Sequence, residues 1–304
     1  MYIRKKIQII FMSVVLVSFI FFYSYSGNTN DPYSIHTEKY YASVSSRWYN
    51  YSGSVAFSDE IYLNGPAISM DNPKLIARIK ERFLLPPSSR TEPYELKFPH
   101  LNDTSMGQAQ KVFNILGNKT EGFFVECGAL DGETRSNTLY FERHLNWSGL
   151  LVEADPLNFA MMEMKKRKAY LSPSCLSIKP YPIMVSFKQA FNVGKISDFK
   201  PGYKGIGYVD VQCFPLYSYL LALNRTTVDY FSLDVEGSEL EVLNTIPFEK
   251  LDIRTMSVEF VHVKKGKDFL REFVERRGYV LHSEVVHENN LANDFIFVKS
   301  PRLV

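Results

Sequence analysis

The chain has 304 residues, more than one average domain but not enough to require two. Hydrophobic residues make up 45% and charged residues 22%, which excludes a chain too polar to bury a core. A net charge of +2 excludes the global field that a nucleic-acid binder presents, and no nucleic-acid partner is expected. The densest basic run, KKRK at 165–168, reads as the solvated face of a helix rather than a phosphate site.

In chain order the first element is the apolar run 7–23, preceded by Arg4, Lys5 and Lys6. At helical rise it reaches about 25 Å, the short end of what spans a bilayer. The basic flank places residues 1–6 in the cytosol and everything after Tyr23 outside it. Ser24 and Ser26 could instead form a signal-peptide cleavage site, but the apolar run is longer than a usual signal core. The expectation is an uncleaved type II anchor, with the rest of the chain facing the endoplasmic reticulum or Golgi lumen. Glycosylation triplets at Asn50, Asn102, Asn118, Asn146 and Asn224 agree with that route. Of the three cysteines, Cys127 reads as a core residue, while Cys175 and Cys213 are the candidates for a disulfide.

Residues 24–64 are rich in Tyr, Ser and Asn and read as a stem. A helix follows at 71–85, with Asp71 as the cap and Pro73 in the first turn, then a Pro-rich arm and a second amphipathic helix at 105–116. Stem and arm are thus expected over 24–104, and a folded domain over 105–304. Within it, strand patterns at 123–127, 150–153, 183–187, 209–214, 230–234 and 255–261 alternate with helical patterns. Those helices fall at 135–144, 158–167, 215–223, 239–245 and 267–277. This is the pattern of an α/β protein with a mostly parallel sheet. The end differs: 278–300 holds two extended runs and no helix, an antiparallel hairpin at the sheet edge.

The chemistry-bearing residues gather at the ends of these strands. "FFVECGALDGETRSNT" is strand, glycine turn, helix, with Gly128 and Gly132 able to admit a ligand where open α/β sheets bind them. The turn lacks the dinucleotide G-x-G-x-x-G, and Asp131 beside Glu133 disfavours a phosphate. Glu153 ends the next strand, at the spacing from the glycines from which a carboxylate reaches ribose hydroxyls. In "FSLDVEGSELEVL", Asp234 and Glu236 open from a core strand into a turn, and either could bind a hydroxyl, orient an amine or act as a base; capping by Asp234, Ser238 and Glu239 is the structural alternative. Glu259 and His262 end the following strand at the same edge. No spacing of His and Cys makes a zinc site, and no metal is expected.

Together "FFVECGALDGETRSNT", "GLLVEADP" and "FSLDVEGSELEVL" resemble the FkbM family of S-adenosylmethionine-dependent methyltransferases, over about 122–298. "DGETRSNTLYFER" and "NWSGLLVEADP", with the anchor, are similar to the Star-like branch of animal type II membrane proteins. The resemblance implies a class I methyltransferase, Rossmann-like fold with an antiparallel last strand, and S-adenosyl-L-methionine as cofactor. It implies that Glu126, Gly128, Asp131 and Gly132 line the methionine end, that Glu153 holds the ribose, and that Asp155 sits near the adenine. Asp234 and Glu236 would flank the methyl and its acceptor, with His262 at the same edge. Glu126 stands where many members have Asp, and Leu130 and Asp131 replace residues that are commonly small or amide. The implied activity is O-methylation of a glycan or other secretory-pathway acceptor. The alternative is a non-catalytic factor that carries growth-factor precursors from endoplasmic reticulum to Golgi. The oligomeric state is not specified by these features.

Overall fold

The structure, a computed structural model, describes residues 63–288 and 291–301. The expected anchor, the stem up to residue 62 and Asn50 lie outside the described residues. Among the described residues no helix is long and apolar enough to cross a membrane.

The first helix, α1 (Pro73–Arg78), is capped by Asn72 rather than Asp71: the Asn72 side chain accepts from the N–H groups of Lys74 and Leu75, and Pro73 fills the first turn. It continues as a π turn (Ile79–Phe83), and both Leu75 and Ile79 are fully buried in the main core. Leu85 then exchanges backbone hydrogen bonds with Leu171, sealing an otherwise open strand edge. Residues 63–104 therefore pack into the same compact unit as the rest, and 104/105 is not a packing boundary. The second helix is α2 (Gln108–Leu116).

The main sheet has seven strands: β1 (Phe123–Cys127), β2 (Ser148–Glu153), β3 (Tyr170–Pro173), β8 (Thr227–Leu233), β9 (Asp252–Glu259), β10 (Tyr279–Val286) and β11 (Asn293–Lys299). Their order is β10-β11-β9-β8-β1-β2-β3. The five from β3 to β9 are parallel, while β11 runs antiparallel between β9 and β10. The mostly parallel sheet with an antiparallel last strand is as the sequence predicts. Central β1 is buried at every position, as a strand covered on both faces must be. Helices α3 (Leu139–Leu145), α4 (Pro156–Met164), α5 (Leu216–Ala222), α6 (Glu239–Thr245) and α7 (Lys267–Glu275) complete the fold.

Two expected strands lie elsewhere. The runs at 183–187 and 209–214 become β5 (Ile183–Lys188) and β7 (Tyr208–Phe214) of a separate four-stranded sheet, with β4 (Cys175–Leu176) and β6 (Lys195–Ile196). No α-helix joins β5 to β7, so they pair antiparallel; a parallel neighbour needs a crossover. Cys175 and Cys213 face each other in the β4–β7 register and form the expected disulfide, and Cys127 is a buried free thiol.

The KKRK run is not a solvated face. Helix α4 stops at Met164, and Lys166 takes a left-handed conformation that turns the following residues inward. Arg167 is 1% exposed and its Nε lies 3.1 Å from both carboxylate oxygens of Glu142. Its guanidinium also donates to the Gly132 carbonyl, Ser136 and Thr138. Lys165 pairs with Glu133 at 2.7 Å, and Lys168 donates to the Glu92 carbonyl.

Candidate functional site

Strand register assembles the site. Cys127 lies beside Leu233, Leu233 beside Val258, and Glu259 beside Asp294. The next residues along β1 and β8, Gly128 and Asp234, therefore emerge at one edge with Glu259 and Asp294. Gly128 has φ +77°, and a Cβ there would fall 1.9 Å from the Asp234 carbonyl oxygen. Only glycine lets these two strand ends approach. An open cavity lies at this edge; Gly128, Glu153, Asp234, Glu236 and His262 line it, and Phe187 and Ile196 of the second sheet form part of its wall.

On the β1–β2 side the acids are tied to backbone. Glu126 is buried and accepts from Ser136 Oγ at 2.9 Å, Asn137 N–H at 2.7 Å and Thr138 Oγ1. Burial raises its pKa, opposed by the Arg167 charge. It reaches the cavity wall, but its carboxylate holds the 136–138 turn. Glu153 accepts from the N–H groups of Leu130 and Asp155, each at 2.8 Å. Burial pushes it up to about 8 against those two bonds.

Three expected cofactor contacts are not on the cavity wall. Asp131 accepts from the N–H groups of Glu133 and Thr134 and from the Thr134 hydroxyl, closing its own turn. Gly132 makes room for Met162, whose Cγ a Cβ would meet at 2.7 Å. Asp155 caps α4 through the Leu157 N–H and is held by Gln189 Nε2 at 2.8 Å.

The β8–β9–β11 side is different. His262 Nδ1 lies 3.0 Å from Glu236 Oε2 and 3.0 Å from Glu259 Oε2. Glu239 behaves as the capping alternative expected, accepting from Val235 and Gly237 N–H. Asp234 does not cap: its Oδ1 is buried with no hydrogen-bond partner, and so is Asn137 Oδ1. Burial first, then the charges of Asp294, Glu236 and Glu239, push the Asp234 carboxyl well above the usual range. Glu259 is raised to about 10 by burial and the carboxylates of Asp234, Glu239 and Glu236. Glu236 is also raised by burial, but His262 pulls it back. Asp294 rises to about 6 through burial, opposed by a 2.8 Å bond from Gln108 Nε2.

Asp294 and Asn137 were not singled out in the sequence. The signal for Asp294 is direction: an antiparallel last strand begins where its parallel neighbours end, so an acid at its start meets the same edge. What this arrangement can do is bind positive charge and take up a proton.

The sequence matches the methyltransferase FkbM domain over residues 126–281, just over half of the chain. No curated protein matches it in sequence. Among solved structures, the methyltransferase FkbM from Methylobacillus flagellatus KT is similar at 14% identity and a TM-score of 0.40, covering 59% of this chain and 43% of that one. A methyltransferase from Pyrococcus furiosus is 14% identical with a TM-score of 0.36, covering 63% of this chain and 82% of its own. The N-terminal domain of human METTL16 is 11% identical with a TM-score of 0.38, covering 75% and 79%. Likenesses at this level say nothing about what the chain binds. The domain match does say what the chain is: it belongs to the FkbM methyltransferase family.

Proposed function

We propose that the cavity binds S-adenosyl-L-methionine and that the protein transfers its methyl group to a hydroxyl acceptor. The observation that carries this reading is the pair of buried oxygens without partners, Asp234 Oδ1 and Asn137 Oδ1, at a cavity on the strand ends. Acceptors in that condition fit a ligand that brings cationic donors. S-adenosylmethionine supplies an ammonium, a sulfonium and an electrophilic methyl. Glu153 spends one hydrogen bond per oxygen on backbone N–H groups and takes a further one from Asn158, so acceptor capacity remains for a ribose hydroxyl. At the methionine end, where the resemblance places Glu126, the amine falls to Asp234 and Asn137, because the Glu126 carboxylate is occupied by its turn. The acceptor proton goes to Glu236 as its oxygen takes the methyl: His262 opposes the rise that burial gives Glu236, whereas burial and then the charges of Asp294, Glu236 and Glu239 push Asp234 well above the usual range.

The acceptor in this reading is a glycan or another secretory-pathway molecule, reached by a type II membrane protein facing the endoplasmic reticulum or Golgi lumen. The basic-flanked apolar run supports that placement, as does the Cys175–Cys213 disulfide. So does the exposure of Asn102, Asn118, Asn146 and Asn224. Calorimetry of the full-length protein with S-adenosylmethionine is the test. Saturable binding is expected; no heat up to millimolar cofactor, with the protein folded, removes the enzyme reading.

A second reading is a Star-like trafficking factor that keeps the fold as a scaffold. Its support is that Glu126 and Glu153 both serve the protein's own backbone. Disrupting Gly128 and Glu153 separates the two: export of growth-factor precursors that survives intact favours the scaffold, and lost export favours a required ligand.

A further inference from the structure

We propose that Glu236, Glu259 and His262 form a binding site for a divalent cation on the acceptor side of the cavity. The inference goes beyond the methyltransferase reading and does not need it. The donor atoms of the three residues all lie within 4.8 Å of one another. Nδ1 of His262 stands 3.0 Å from a carboxylate oxygen of each acid. One imidazole proton cannot satisfy two carboxylates, whereas one cation can.

Three buried acids elsewhere in this protein have a basic partner: Glu133 has Lys165, Glu142 has Arg167, and Asp229 has both Lys119 and Arg254, while Glu126, Glu153 and Asp155 are held by hydrogen bonds. Among the described residues none of Asp234, Glu236, Glu239, Glu259 and Asp294 forms an ion pair with Lys or Arg. Five carboxylates thus cluster around one histidine, and the charges of Arg135 and Lys195 reach them without forming an ion pair. A second observation is independent of the acids. Asn137 is 7% exposed, lines the same cavity, and has an amide oxygen without a partner. Asp234 Oδ1 is in the same state. Neutral and anionic oxygens alike are oriented for positive charge.

The backbone holds the donors in place. Glu236 has φ +56°, a conformation that non-glycine residues adopt at some cost and keep where structure imposes it. At Gly237 a Cβ would sit 3.1 Å from the His262 carbonyl oxygen, so the two donor-bearing turns pack directly on one another. Two carboxylates and one imidazole form a mixed hard and borderline set, which suits Mn2+. With the cation bound, Glu236 acts as a ligand.

The test is titration of full-length protein with Mn2+ alone, reading free Mn2+ by electron paramagnetic resonance. Binding of Mn2+ is expected. Glu259→Gln and His262→Ala should each weaken it by more than the roughly 10- to 100-fold that outer-shell changes cost. His262 is largely exposed and Glu259→Gln is isosteric, and circular dichroism checks that both variants are folded. No depletion of free Mn2+ up to millimolar overturns the proposal, as does binding that both folded variants retain. S-adenosylmethionine is absent from the assay, so its outcome is independent of the cofactor reading.

Discussion

The two sides of the strand edge carry similar numbers of acids and use them in opposite ways. On the β1–β2 side Glu126, Asp131 and Asp155 each accept hydrogen bonds from a turn or helix end. On the β8–β9–β11 side burial raises the proton affinity of Asp234, Glu236, Glu259 and Asp294, and neighbouring carboxylates raise the first three further, around one histidine. The difference teaches that an acid near a ligand cavity is a candidate for function when its own backbone leaves it unsatisfied. Neutralising an acid should therefore weaken the fold on the first side and the site on the second.

The largest effect is expected where the structural side depends on a single cation. Arg167→Leu leaves Glu142 buried without its partner and should cost about 3–5 kcal/mol, read from urea unfolding. Gly128→Ala comes next. Backbone strain alone costs roughly 1–3 kcal/mol, and the Cβ would push the β1 and β8 ends apart, so cofactor binding should be lost in calorimetry. If Gly128→Ala bound normally, the close approach of the two strand ends would have no bearing on the cavity.

A smaller effect concerns pH. Glu153 titrates near 8 when folded against an ordinary value of 4.5, so its contribution to stability is complete below about 4.5 and is lost as pH rises toward 8. Denaturation midpoints should fall across that window, and the fall should be shallower in Glu153→Gln. An equal slope in the variant would assign the pH dependence to another group. The smallest change in stability is expected at Glu259→Gln, which replaces a carboxyl that burial and its neighbours already disfavour in charged form; the midpoint in urea should stay level or rise slightly while Mn2+ binding weakens.

Much of this contrast was legible in sequence. Strand β1 and helix α6 have the predicted bounds, because a buried parallel strand and a short amphipathic helix are both local patterns, although Ser238 makes no capping bond and Glu239 accepts from the turn before it. The disulfide followed from compartment and count. What escaped was non-local. The apolar runs of β5 and β7 look like parallel strands, and only their pairing with each other, without a crossover helix, shows a second sheet. Arg167 and Lys168 look like surface residues until Glu142 meets them from another helix. Asp155 before Pro156 is a helix-start signal that could have been read as such, and so is the turn closed by Asp131.

The most direct test of the contrast is Asp234→Asn measured twice on the full-length protein, by urea midpoint and by calorimetry with S-adenosylmethionine. The account predicts a midpoint equal to or above that of the parent, and cofactor affinity weaker by roughly tenfold or more, the scale of one charge-assisted hydrogen bond. A midpoint that drops as it does for Arg167→Leu, with affinity unchanged, would contradict it.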